Sequence, residues 1–308
     1  MLPLSAHTLF DCGSARGHPW NKHGKILIAM TSAQSSPVFI VSPTPRSGTN
    51  FLMHALVAVG FCEPPSRRVL TREDHLLKTS GLLTQYVEET AKIWSLWEKD
   101  AATLNSSSDE LLAAIGSGIL RFIGGPTDSS KRVVIKTPTS ASLHNFPRLF
   151  PSCRVILLVR DGRDTTESQV QSWQHVPYAS AFAQWAQGAR ELLEFSSNCR
   201  RGRGVSWVLI RYEHLLTDTA AVLKSIGSFL DIHTDHLDLE AVARLPVYGS
   251  SEIGKKIGSR FEWCVEAKPQ GFNPIGRWRN WPLERRELFK RLAGKELIDL
   301  GYEGAEAW

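Results

Sequence analysis

The chain has 308 residues, of which 42% are apolar, enough for a substantial core in one large α/β domain. Its net charge is only +5, with 36 Lys and Arg against 31 Asp and Glu, and its pI is near 9.0. That mild excess suits an anionic ligand; the one dense cationic cluster, "CRRGRG" (199–204), reads as a solvated loop, so no nucleic-acid partner is expected. Five widely spaced cysteines without C-x-x-C count against a disulfide framework or a zinc site. With no apolar run near the ~18 residues of a membrane span and no secretory leader, the expectation is a soluble, cytoplasmic chain.

Residues 1–36 carry scattered His, Gly, Ser and Pro without periodicity and are expected to form a loose extension, with Met30 a possible second start and residues 37–308 the folded domain. From there, apolar runs end in a polar or basic residue: "VFIVS" (38–42), "RVVIK" (132–136), "RVILLVR" (154–160) and "WVLIR" (207–211). Continuous apolar runs fit strands covered on both faces, hence a central, mostly parallel sheet. Between them, 51–60, 75–97, 109–123 and 181–195 have helical spacing. Ligands of open parallel sheets bind beyond the strands' carboxyl ends, which places Arg46, Lys136, Arg160 and Tyr212 near one rim. Trp94 with Trp97, and Trp173 with Trp185, have the spacing of core residues.

"VFIVSPTPRSGTNFLMHALVAVG" (38–60) is laid out as strand, tight loop and helix. It departs from G-x-x-x-x-G-K-[ST], with Pro43 in the first glycine's place, no lysine after Gly48, and Arg46 the nearest cation. Ser47, Gly48, Thr49 and Asn50 can turn N–H groups toward an anion at the helix start, and Arg46 adds a planar fork. The bland alternative is an ordinary strand–turn–helix with Arg46 on the surface. In "RVILLVRDGRDTTESQVQSW" (154–173), Asp164 and Glu167 have the capping-box offset for a helix beginning at Asp164. Arg160 and Ser168, eight residues apart, can grip one phosphate. Otherwise Arg160 pairs with Asp161 or Asp164.

The ordered set "PTPRSGTN", "VIKTP", "VRDGRDTTES", "IRYEHL" and "GRWRNW" resembles the sulfotransferases that use 3′-phosphoadenosine 5′-phosphosulfate (PAPS), over about residues 37–302. The resemblance implies a P-loop-like three-layer α/β sandwich and a metal-independent, in-line transfer to a hydroxyl or amine of a small-molecule or glycan acceptor. It implies that Arg46, Ser47, Gly48, Thr49, Asn50 and Phe51 hold the 5′-phosphosulfate, and that Arg160 and Ser168 hold the 3′-phosphate. Tyr212 would lie near the adenine, and Lys136 would stabilise the bridging oxygen or sulfuryl group. Arg277, Trp278 and Arg279 would belong to a loop closing over the nucleotide.

Cytosolic eukaryotic members carry "YPKSGTTW" and a lysine-x-histidine pair, where this chain has Arg46, Asn50 and Pro138. Their arginine-lysine-glycine falls on Gly271, Phe272 and Asn273, and their C-terminal dimer motif is absent, so no oligomeric state is implied. The chain is more similar to bacterial, carbohydrate and tyrosyl-protein members, where an acidic residue after the first helix is the base. Here that points to Glu73, then His75, then Asp74, in a helix start where acids are favoured in any case. The segment 245–256 is a candidate cap for the acceptor or an aid to the 3′-phosphate, with an ordinary surface loop as the bland alternative. Two other functions compete: a nucleotide kinase-like phosphotransferase, disfavoured by the missing lysine and magnesium partner, and a non-catalytic nucleotide- or RNA-binding module using "RRGR".

Overall fold

The structure is a computed structural model that describes residues 36–61, Pro64, 77–124, 132–200, 204–234 and 273–305, together with Val242, Arg244, Leu245, Gln270, Gly271 and four short strands between 247 and 266. Four strands, β1 (Val38–Val41), β2 (Val134–Thr137), β3 (Arg154–Val159) and β4 (Ser206–Arg211), form one sheet in the order β2-β1-β3-β4. Every pairing is parallel; Ile40, for example, lies opposite both Lys136 and Ile156. The expected strands are present within one or two residues of their ends.

Strand side chains alternate between two apolar layers, because successive residues point to opposite faces. Val38, Ile40, Val134, Ile156 and Leu158 face one layer. Its helices are α1 (Thr49–Ala58), α7 (Tyr212–Thr217) and α8 (Thr219–Phe229). Phe39, Val41, Ile135, Val155, Leu157 and Val159 face the other. That side is covered by α2 (Ser80–Trp94), α3 (Ala101–Gly124), α4 (Phe146–Leu149), α6 (Tyr178–Arg200) and α9 (Leu283–Asp299). Helix α5 (Gly162–Ser172) leaves the end of β3 and packs on α6. The result is a three-layer α/β sandwich, as expected from runs that are apolar without alternation.

Helix boundaries depart from the sequence expectation in instructive ways. Helix α3 begins eight residues before the expected 109. Asp100 explains it: its carboxylate accepts the Thr103 amide at 2.9 Å and hydroxyl at 2.7 Å, an N-cap that starts the helix ahead of its apolar stripe. The tryptophans divide. Trp185 is fully buried and stacks near Phe289, whereas Trp173 is only partly buried. Trp94 is likewise partly buried at the end of α2, and Trp97, just past it, is 76% exposed, so the core reading fails for that pair. Helical spacing places two residues on one face, but which face is buried depends on the neighbour that covers it.

Candidate functional site

The segment joining β1 to α1 is folded tightly on itself. The hydroxyls of Ser42 and Ser47 both donate to the Thr44 carbonyl, at 3.0 and 2.9 Å. Arg46 has φ +78° and Gly48 φ +92°, so two residues of this short loop adopt the left-handed region. Such strain in a non-glycine residue is typically kept at ligand sites. Gly48 is the N-cap of α1; no side chain caps it and the first turn holds no acid. Among the described residues, the amides of Thr49, Asn50 and Phe51 therefore begin the helix without a side-chain acceptor, the arrangement that receives an anion. Thr49 is buried, and the Phe51 ring packs against the apolar layer rather than toward the loop.

Gly48 is also required by its neighbour. A Cβ there would lie 2.1 Å from the Tyr212 ring. We expect Gly48→Ala to cost roughly 1–3 kcal/mol, from backbone strain and displacement of the tyrosine; a urea midpoint equal to that of the parent chain would contradict this contact.

Arg160, the first residue past β3, is 4% exposed. Its guanidinium donates to the carbonyls of Arg46 at 2.9 Å and Pro274 at 2.6 Å, and lies 5.0 Å from the centre of the Tyr212 ring. Among the described residues, its buried Nε has no hydrogen-bond partner. The alternative pairing with Asp161 or Asp164 is not what forms: Asp161 is bound by Arg163 at 2.7 Å, and Asp164 accepts backbone amides. Arg46 donates through Nε to the Ser168 hydroxyl at 3.3 Å. Arg46 thus bridges the two expected anion sites instead of serving the loop alone. Burial raises the pKa of Tyr212, opposed in order by the charges of Arg160, Arg277 and Arg46.

Lys136 is 5% exposed in β2. Its Nζ donates to Asn50 Oδ1 at 2.5 Å. The asparagine that departs from the "SGTT" pattern therefore fixes the lysine relative to the loop.

The segment 37–236 matches the sequence profile of the Sulfotransferase family, about two thirds of the chain. The chain belongs to that family. It is 23% identical over 215 residues to protein-tyrosine sulfotransferase A of Caenorhabditis elegans, a match covering 66% of this chain and 52% of that protein. A putative protein-tyrosine sulfotransferase of the same organism is 27% identical over 182 residues, covering 53% of this chain and 68% of that one. The chain thus spans about half the length of the first relative. Among solved structures, the sulfotransferase domain of the Synechococcus PCC 7002 olefin synthase aligns at 20% identity with TM-score 0.49, covering 85% of this chain and 95% of that one.

In this family member the helix after β3 begins at Gly162, capped by Asp161, whose carboxylate accepts the Arg163 amide at 2.9 Å. The expected start at Asp164 is thereby corrected. Asp164 and Glu167 face the C-terminal segment instead. Asp164 accepts the amides of Gly276 at 2.7 Å and Trp278 at 3.3 Å, and Glu167 accepts the Trp281 indole N–H. The Trp278 ring lies 3.6 Å from the Arg163 guanidinium. Arg277 is half-buried, while Arg279 is exposed on the same turn.

A cleft of about 530 Å³ opens beside the loop, between Pro43–Pro45, Pro138–Ala141 and the α6 residues Gln184, Gln187 and Glu191. Glu191 is held by the Ser140 hydroxyl at 3.1 Å and the Gln187 amide at 3.0 Å. Its contribution was not visible in sequence, because the residues that fix it come from two separate elements. Glu73, Asp74, His75, Phe272, most of 245–256 and residues 201–203 of the "RRGR" stretch lie outside the described residues. Among the described residues, no cluster of three or more His, Cys, Asp or Glu is placed to hold a metal ion, and no helix is long and apolar enough to cross a membrane.

Proposed function

We propose that the chain moves a sulfuryl group from PAPS to an acceptor hydroxyl. The observation that carries the reading is the buried Arg160 guanidinium, set over the Tyr212 ring and bonded to the loop at Arg46, which itself reaches Ser168, beside the uncapped N-terminus of α1. This set suits a nucleotide with two separated anionic groups. The α1 amides and Asn50 would face the 5′ end, Arg160, Arg46 and Ser168 the 3′-phosphate, and Tyr212 the adenine. The buried, unpartnered Nε of Arg160 fits such a group, since a buried donor without an acceptor is costly. When bound, the donor supplies an already activated sulfuryl group.

Lys136, held by Asn50, would offset the negative charge that develops on the oxygens around sulfur. The acceptor proton is assigned to Glu73, ahead of His75 and Asp74. Glu73→Gln should remove most turnover and flatten the acidic limb of the pH–rate profile; an unshifted limb would move the base to His75.

The cleft bounded by Pro43–Pro45 and α6 is the proposed acceptor site, of a size suited to a small molecule, a sugar or one side chain of a peptide. The relatives named as protein-tyrosine sulfotransferases favour a tyrosine-containing peptide as a second acceptor class beside small molecules and glycans. Calorimetry in EDTA tests the donor: adenosine 3′,5′-bisphosphate should bind, and ATP should bind far more weakly. ATP binding that depends on magnesium would revive the phosphotransferase reading. Production of the bisphosphate can then be followed with phenols, sugars and tyrosine peptides in parallel.

A further inference from the structure

Asp164 is 1% exposed, yet among the described residues it belongs to no ion pair, and it does not cap its own helix. Both carboxylate oxygens are spent on the far end of the chain, on the amides of Gly276 and Trp278. Between them the segment turns through Gly276 at φ +81° into the short helical turn Arg277–Asn280. Two residues before Gly276, the Pro274 carbonyl accepts from the Arg160 guanidinium at 2.6 Å. The other end of the segment is anchored separately: Trp281 is buried among Phe182 and Phe289 and donates to Glu167. Asp164, with the Arg163 guanidinium over the Trp278 ring, therefore attaches the stretch that orients Arg160 and carries Arg277.

We propose that Asp164 is a positioning residue for the 3′-phosphate site: it pins residues 274–278 so that the Pro274 carbonyl fixes the Arg160 guanidinium and the turn that carries Arg277 is held in place. The inference rests on the donor reading above. A carboxylate suits the task because it presents two acceptors and no donor to a pair of backbone amides. Burial raises its pKa, and the charge of Arg160 together with the Gly276 amide pulls it back. Asparagine has the same shape but replaces one acceptor with an N–H group, which would face an amide donor.

The test is calorimetry on Asp164→Asn with two nucleotides, adenosine 3′,5′-bisphosphate and adenosine 5′-phosphosulfate, which lacks the 3′-phosphate. Losing one charge-assisted bond and opposing another donor should weaken the bisphosphate by at least about tenfold. The phosphosulfate should be affected several times less. Unchanged bisphosphate binding, or an equal loss for both nucleotides, would show Asp164 to be scaffold only and overturn the proposal. If the parent chain binds neither nucleotide, the donor reading itself fails and takes this inference with it. Amide exchange in the unmodified chain checks the anchoring without a variant: Gly276 and Trp278 should exchange more slowly than Asn273, and more slowly still with the bisphosphate added. Exchange at Gly276 and Trp278 that ignores the bisphosphate would also overturn it.

Discussion

Lys136→Ala should lower kcat by about 10²–10³ while donor affinity changes much less. The expectation comes from where the lysine is held. It is nearly buried near the end of β2, an edge strand of the four-stranded sheet, and Asn50 in the first turn of α1 accepts a hydrogen bond from its Nζ. A cation placed beside the loop and held by a hydrogen bond to Asn50 is preorganised: it need not move when charge develops near it. Such a group lowers the barrier more than it strengthens ground-state binding. Asn50→Ala should reproduce a fraction of the effect, because the lysine keeps its charge but loses its aim. Single-turnover kinetics with saturating donor separate the two quantities. A tenfold or greater loss of donor affinity with unchanged kcat would make Lys136 a binding residue and return the chemistry to other groups.

The elements that place this lysine were readable from sequence for a physical reason. A strand buried on both faces has no polar face to show, so "RVVIK" and "RVILLVR" stand out as uninterrupted apolar runs that stop where the chain emerges at the rim. Parallel strands end on the same side, which is why Lys136, Arg160 and Tyr212 all meet the β1–α1 loop, at Asn50, Arg46 and Gly48. What sequence left open was which partner each charge takes. "RDGRD" offers two acids three residues apart, and either can start a helix. Asp161 does so because Asp164 is claimed by amides 112 and 114 residues further on, a contact with no local signature. Arg46 likewise reaches Ser168 across 122 residues, joining two sites that separate motifs describe as independent. Trp97 and the Glu191–Ser140 pair follow the same logic, since exposure and long-range hydrogen bonds are decided by packing.

Arg160→Ala should weaken adenosine 3′,5′-bisphosphate by about 10² or more, and adenosine 5′-phosphosulfate by distinctly less. Some loss for both is built into the structure. The guanidinium ties the Arg46 carbonyl of the loop to the Pro274 carbonyl of the C-terminal segment, so its removal frees the backbone on both sides. It also strips the cation from beside the Tyr212 ring, which packs on Gly48. These consequences are common to any nucleotide in the site. The excess loss for the bisphosphate is what measures recognition of the 3′-phosphate, through the Nε and the N–H bonds that the two carbonyls leave over. Arg160→Lys sharpens the comparison. Lysine keeps the charge but cannot reach two carbonyls and a phosphate in one plane. It should recover the common, field-dependent part and little of the difference between the two nucleotides. If Arg160→Lys restores bisphosphate binding in full, the site reads charge alone and the planar fork is dispensable. Losses that are equal for both nucleotides in Arg160→Ala would confine Arg160 to bracing the loop, and the 3′-phosphate would then belong to Arg46 and Ser168.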